Sequence, residues 1–294
     1  MNEESPKRLP VSVVIPTIGR VDPLRRCLET LAACRPAAAE ILVADQSHDP
    51  AVAALVAEHA GSAARVVPSH GRGVARARND GLRAAEYELV LVTDDDCTVP
   101  PDWVATAWRL AREHPGAIVT GRVRPVGDPR AVPSTKDDPV PRDLSAERRG
   151  GVLFPNNMAL PCAAVLELGG FDERFGPEEA AEDNEFCYRW LKAGNVLRYD
   201  PALVVHHYDW RTPEELLRLY VRYARGEGFF YAKHLRRGDL RMLRFLARDT
   251  AWGLRSLVSA VVKRREAWTD SRRGLLRGLP GGFLHGWRVY GKGR

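Results

Sequence analysis

Val11 to Ile15 is a largely β-branched run that stops at Pro16, the pattern of a strand covered on both faces inside a parallel sheet. A helix is predicted from about Asp22, with Pro23 in its first turn, where a missing N–H has no partner to lose. The alternation then repeats. Ile41 to Ala44 reads as a strand, Ala51 to His59 as a helix, Arg65 to Val67 as a short strand and Val74 to Ala85 as a helix. Glu88 to Val92 is a further buried strand, and it runs directly into Thr93-Asp94-Asp95-Asp96. Such alternation indicates right-handed crossovers and an α/β fold with a mainly parallel sheet flanked by helices, whose ligands bind beyond the carboxyl ends of the strands. The acidic triplet lies at one such end.

Residues 123–155 hold Pro125, Pro129, Pro133, Pro139, Pro141 and Pro155 and predict a long irregular connection, suited to a lid or an acceptor-facing loop. Glu182-Asp183 stands directly ahead of an expected helix, Asn184 to Ala193, and a strand over Ala202 to Val205 leads into His206-His207. At Thr212-Pro213-Glu214-Glu215 the pattern changes: a capping-box pair with proline at the first helical position opens a helical tail. Its later part, Leu240 to Val262, interleaves Leu, Phe and Trp with Arg241, Arg244, Arg248 and Arg255 and then reaches Lys263-Arg264-Arg265. The expected division is an α/β domain over 1–210 and a basic amphipathic helical region over 211–294.

Charge sharpens that division. The chain carries +6 overall, but residues 209–294 hold twenty Lys/Arg against eight Asp/Glu, a net +12, which leaves −6 on the first 208. A basic amphipathic segment on an acidic body suits an anionic surface. No nucleic-acid-binding motif accompanies it, so no nucleic acid is expected, and two readings stand: peripheral contact with the inner face of the cell membrane, or helices packed on their own domain. Met1 to Pro10 has no apolar h-region, and no apolar run approaches the roughly 18–20 residues of a span. Cys27, Cys34, Cys97, Cys162 and Cys187 lack paired spacing, which suggests neither a disulfide framework nor a zinc site and points to the cytoplasm.

Three consecutive carboxylates behind a buried strand repel one another unless a cation neutralises them, and a divalent metal is the natural partner. Mg²⁺ and Mn²⁺ take carboxylate and diphosphate oxygens together and stabilise charge on a phosphate leaving group. A carboxylate from Glu182-Asp183, projected at a helix start, can serve as a general base or merely cap the helix and favour its dipole. Alternation along a strand sends at most one of His206 and His207 toward a metal.

Seven strings stand in one order: Val11-Ser-Val-Val-Ile-Pro-Thr-Ile-Gly-Arg20, Val43-Ala-Asp-Gln-Ser47, Ala77-Arg-Asn-Asp-Gly-Leu82, Asp94-Asp-Asp-Cys97, Gly169-Gly-Phe-Asp-Glu173, Glu182-Asp183 and His206-His207. Each is weak alone; together they resemble the family 2 glycosyltransferases over about residues 11–210. The resemblance implies a GT-A fold, a Rossmann-like α/β architecture, here with a C-terminal helical extension. It implies metal-dependent, inverting transfer of a single sugar from a nucleoside-diphosphate sugar to an acceptor hydroxyl, in cell-envelope polysaccharide, glycolipid or related glycoconjugate synthesis. The acceptor would be a glycan, a lipid-linked or a small molecule. Thr17 would line the donor pocket, Asp45 would hydrogen-bond the nucleobase, and Arg78 and Asn79 would support the donor site. Asp94 and Asp95 would approach the ribose and metal shell, while Asp96 of the DXD motif and His207 would hold Mn²⁺ or Mg²⁺. Asp183 would be the base, and Asp172, Glu173 and Glu182 would lie on the acceptor side.

Two departures matter. Asp45-Gln46 replaces the family's usual acidic pair and leaves the nucleobase open. Phe186 stands where processive synthases carry Gln before Arg189-Trp190, which favours single transfer over polymerisation. A sugar-phosphate nucleotidyltransferase would carry a Gly-rich basic loop after the first strand, which Pro16 to Arg20 is not. A glycosidase does not explain a triple-Asp strand end with a histidine. A non-catalytic nucleotide-binding protein whose tail binds nucleic acid is the remaining alternative, and Asp96, Asp183 and His207 argue against it.

Overall fold

The computed structural model describes residues 8–128, 132, 135–144, 155–208, 211–263 and 270–291. Arg264, Arg265, Pro129 and Pro133, which enter the expectations above, lie outside them. The chain forms two compact units, Met1–Asp172 with Phe186–Asp209, and Glu173–Glu185 with Trp210–Arg294.

The first unit is built on a sheet in which β3 (Ala64–Pro68), β2 (Ala37–Asp45), β1 (Arg8–Thr17) and β4 (Leu89–Val92) lie side by side and parallel. The crossovers between them contain α1 (Val21–Ala32), α2 (Pro50–Glu58) and α3 (Val74–Ala84). Successive side chains of a strand face opposite ways, and both faces of β1 are covered. Val11, Val13 and Ile15 pack with Leu24, Leu28 and Val104 of α4 (Trp103–Glu113), whereas Val14 packs with Leu82 and Phe171 on the other face. Gly81 lets α3 close on β1: a Cβ there would stand 2.4 Å from Val14 Cγ1.

Beyond β4 the sheet is mixed. β8 (Met158–Pro161) is antiparallel to β4 and to β6 (Ile118–Val126), and β6 runs parallel to β9 (Leu197–Tyr208). β5 (Cys97–Thr98) and β7 (Arg142–Asp143) pair antiparallel with β9, giving nine strands among the described residues. The irregular connection is therefore shorter than the prolines suggest: residues up to Val126 belong to β6, and Val123 also bridges to Lys136. Pairing with β9 outweighs the interruption by Arg122, Arg124 and Pro125. After α5 (Cys162–Glu167) comes α6 (Glu182–Lys192), which starts two residues earlier than predicted, so Glu182 and Asp183 are both in its first turn.

The second unit contains α7 (Pro213–Arg236), α8 (Arg241–Lys263) and α9 (Asp270–Val289). The capping box forms as expected, with Glu215 N donating to Thr212 Oγ1 and Thr212 N donating to Glu215 Oε2. α9 lies on α7 through glycines at every fourth position, Gly274, Gly278, Gly282 and Gly286, which share one helix face. A Cβ at Gly278 would sit 2.3 Å from the Val221 carbonyl oxygen. Polar contacts fasten residues 173–185 to these helices. Fully buried Glu185 accepts from Lys233 Nζ at 2.6 Å and faces His234 Nε2 at 2.9 Å, while Glu179 Oε1 accepts from Arg225 Nη2 at 3.0 Å and faces His285 Nδ1 at 3.0 Å. α8 buries Met242 and Phe245 and exposes Leu243, Trp252 and Leu254 together with Arg241, Arg244, Arg248 and Arg255. No described helix is long and apolar enough to cross a membrane.

Candidate functional site

Register brings the first group of residues together. Thr17 pairs with Asp45 across β1 and β2, and Val14 pairs with Val92 across β1 and β4, so the turn after β4 opens beside the end of β1. Thr17 Oγ1 donates to Asp95 Oδ2 at 2.6 Å. Arg20, just beyond β1, donates through Nη1 to Asp96 Oδ2 at 2.8 Å and through Nη2 to Asp95 Oδ1. Both carboxylates are almost fully buried. Burial pushes Asp95 up to about 6; Arg20 opposes that rise and Asp96 adds to it. Burial alone would lower the Arg20 guanidinium, but Asp95 and Asp96 hold it above its ordinary value. Asp94 is more open and pairs with Arg78 Nη2 at 3.3 Å.

Register also selects the histidine. β5 and β9 pair Cys97 with His207 and Thr98 with His206, and His207 is the buried one, at 4% exposure. Its Nε2 lies 3.3 Å from Asp96 Oδ1, yet neither ring nitrogen has a hydrogen-bond partner. Buried polar atoms are normally satisfied. An unsatisfied imidazole beside a carboxylate is a nitrogen and oxygen donor pair that fits a divalent metal such as Mn²⁺.

The other residues expected on the donor side are tied into the scaffold. Asp45 Oδ1 accepts from Ser47 N at 2.8 Å and Ser47 Oγ at 2.6 Å, which fixes the turn after β2. Asn79 spends both ends of its amide on Phe171, donating to its carbonyl at 2.8 Å and accepting from its N–H at 2.9 Å. That clamp holds Phe171 and the residues beside it on α3, and a Cβ at Gly170 would stand 2.6 Å from Asn79 Oδ1. Arg78, also buried, lies over the Phe171 ring.

Thr17, Asp94, Asp95, Asp96 and His207 thus come together, with Asp45 beside Thr17 and Arg78 on Asp94. Half-buried Asp172 closes the Phe171 segment in the same unit. Glu173, Glu182 and Asp183 belong to the helical unit. There Asp183 Oδ1 accepts from Asn184 N at 2.8 Å, and Asn184 Nδ2 donates to Glu227 at 2.9 Å. Arg20 is the site residue that sequence reasoning passes over; its signal is a basic residue four positions after Pro16, at a strand end facing three carboxylates.

A family model described as "Glycosyl transferase family 2" matches residues 12–164, just over half of the chain. The chain belongs to glycosyltransferase family 2. The pre-mycofactocin glycosyltransferase of Mycobacterium tuberculosis is 30% identical over 217 residues, covering 70% of this chain and 44% of the relative. The chain therefore spans less than half the length of that curated relative. Among solved structures, the mannosyltransferase PcManGT from Pyrobaculum calidifontis, in complex with GDP-Man and Mn²⁺, superposes with a TM-score of 0.63 at 19% identity, covering 98% of this chain and 89% of that one. TarS from S. aureus, in complex with UDP, gives 0.56 at 18% identity and covers 97% and 92%. At such identities the likeness is one of fold, and the α/β sheet with C-terminal helices is the GT-A architecture expected of this family.

Proposed function

We propose that this family 2 protein is an inverting glycosyltransferase that moves one sugar from a nucleoside-diphosphate sugar to an acceptor hydroxyl, with Mn²⁺ or Mg²⁺ as its ion. The observation that carries the reading is buried His207, without a hydrogen-bond partner, beside Asp96 at the end of a strand that closes on three carboxylates. Asp96 and His207 would hold the ion, and a bound dication supplies charge stabilisation for a departing diphosphate. Thr17 and Arg20 orient the Asp95 carboxylate, and Asp45, fixed by Ser47, offers an acceptor to the nucleobase. Arg78 and Asn79 brace that side. Asp183 in the first turn of α6 takes the acceptor's proton, a contribution of roughly a hundred- to ten-thousand-fold in rate. Asp172, Glu173 and Glu182 lie toward the acceptor in this reading. A single in-line displacement then needs no enzyme nucleophile and inverts the anomeric centre.

The acceptor is a glycan, a lipid-linked or a small molecule. The arginines and apolar side chains exposed on α8 support peripheral contact with an anionic membrane from the cytoplasmic side, the setting of envelope glycoconjugate synthesis. Nucleoside diphosphate release from a panel of UDP- and GDP-sugars, with Mn²⁺ or Mg²⁺, tests the reading on wild type, Asp96→Ala and Asp183→Asn. One donor should turn over slowly with metal, and Asp96→Ala should abolish this. With acceptor present, Asp183→Asn should lose about a hundredfold or more while binding the donor as tightly by calorimetry. A wild-type chain that neither binds nor turns over any donor would refute it.

A further inference from the structure

Cys97 follows the acidic triplet and is fully buried. A buried cysteine is ordinarily a small apolar filler, and Cys97 does belong to the apolar core around β1, but two polar side chains also approach its sulfur. Antiparallel pairing of β5 with β9 sets Cys97 directly opposite His207, and directly opposed residues carry their side chains on one face of the sheet. Asp96 Oδ1 lies 3.3 Å from His207 Nε2 and 4.0 Å from Cys97 Sγ. Among the described residues these three offer ligand atoms that all lie within 4.8 Å of one another. Protein ligands of one Zn²⁺ ion at about 2.0–2.3 Å stand roughly 3.5 Å apart, so small side-chain rotations suffice. His207 supplies an independent sign that the cluster is built for a ligand, since both its nitrogens are buried without a hydrogen-bond partner.

We infer that Asp96, Cys97 and His207 form a three-ligand site that takes a thiophilic divalent ion, Zn²⁺ ahead of Mn²⁺ or Mg²⁺, through Cys97 Sγ. Carboxylate, thiolate and imidazole are the donors that Zn²⁺ selects, and three protein ligands leave a fourth position open. On binding, the Cys97 thiol gives up its proton to solvent and its sulfur becomes a metal ligand. No cysteine spacing announces this set, because the strand pairing assembles it from positions more than a hundred residues apart. The inference rests on the metal position of the proposed function and adds a sulfur ligand to it. Its consequence is that Zn²⁺ displaces Mn²⁺ and the ion held depends on metal supply.

The test is the absorption spectrum of the metal-free chain titrated with Co²⁺, followed by competition with Zn²⁺. Wild type should show a sulfur-to-cobalt charge-transfer band in the near ultraviolet that Zn²⁺ abolishes. Cys97→Ala should lose that band but keep weak visible cobalt bands from Asp96 and His207, and Cys97→Ser should bind Zn²⁺ about tenfold to a hundredfold more weakly against a chromophoric chelator. Visible bands in wild type with no sulfur band, or the same sulfur band in Cys97→Ala, would overturn the inference while leaving the transferase reading intact. Absence of any cobalt spectrum would overturn both this inference and the metal assignment it rests on. Sugar turnover is not read in the experiment, so failure of the donor or base assignment cannot imitate either result.

Discussion

Gly281 and Gly282 are neighbours in α9, yet alanine should act on them in opposite directions. In an unpacked helix, Gly→Ala stabilises by about 0.5–1 kcal/mol, because the unfolded chain loses freedom and the helix gains propensity. At Gly281 an added Cβ would meet only Arg225 Nη1, at 3.5 Å, the end of a side chain that can move, so this gain should appear. At Gly282 the same atom would stand 1.9 Å from the Arg225 carbonyl oxygen and 2.6 Å from its carbonyl carbon. Those are backbone atoms of α7 and cannot rotate away. Reaching a carbon–oxygen contact of about 3.4 Å requires the helices to part by roughly 1.5 Å, which also loosens the close approach of Gly278 to Val221 and of Gly286 to Phe229. Overpacking of this kind costs about 1–3 kcal/mol, more than the propensity gain returns. Amide hydrogen exchange of α7 and α9 peptides reads the opening of these helices themselves. Gly282→Ala should exchange faster than wild type, by up to about sixtyfold for a net cost of up to about 2.5 kcal/mol, and Gly281→Ala slower, at 1.4 kcal/mol per decade. Equal protection in the two variants would refute the reasoning that backbone contact through the glycine face holds α9 on α7.

Lys233→Met removes the ammonium that pairs with the fully buried Glu185 carboxylate at 2.6 Å, and breaking such a pair should destabilise α7 by about 3–5 kcal/mol in the same exchange measurement. Burial holds His234 below its ordinary value, with Glu185 opposing, so the unfolded chain takes up the proton first. Stability of the helical unit should therefore fall as pH drops through about 6.5, seen as a lower Tm at pH 5.5 than at pH 8. Asn79→Ala strands both backbone groups of Phe171 and should cost about 2–4 kcal/mol in urea unfolding of the sheet unit, the sum of two lost buried bonds. Reversing Arg244, Arg248 and Arg255 to Glu should weaken sedimentation with anionic vesicles by about a hundredfold or more, at about 1 kcal/mol per arginine lost. Unchanged partitioning would exclude α8 as a membrane contact.

The parallel half of the sheet is legible because each of its strands is a short apolar run bounded by proline, glycine or acidic residues. The antiparallel half is not. β6 carries Arg122 and Arg124 among its apolar residues, β5 has only two residues, and their partner β9 lies far along the chain. Within the helical tail the Thr212 capping box reads correctly to the residue, since both its partners are local. The glycines of α9 are equally visible in sequence, but glycine reads first as a helix breaker, and only a second helix at contact distance gives the four-residue repeat its meaning. The same division runs through the site. Strand ends place Thr17, Asp45 and Asp94 to Asp96 in advance, while the cross-strand alignment of Cys97 with His207 and the clamp from Asn79 to Phe171 need the register.

Arg20 alters the weight of the acidic triplet as evidence. Three consecutive carboxylates call for a positive charge, and from sequence a divalent ion is the obvious one. The chain supplies a positive charge itself: the Arg20 guanidinium binds both Asp95 and Asp96, so their burial is compensated before any ion arrives. The acids alone therefore do not require a metal. His207 cannot be explained the same way. Its Nε2 lies 3.3 Å from Asp96 Oδ1, yet neither ring nitrogen makes a hydrogen bond. A buried imidazole that stabilised only the fold would be satisfied, as His234 is by Glu185. The case for an ion at this strand end thus passes from the conspicuous carboxylates to the histidine that pairs across the sheet with Cys97.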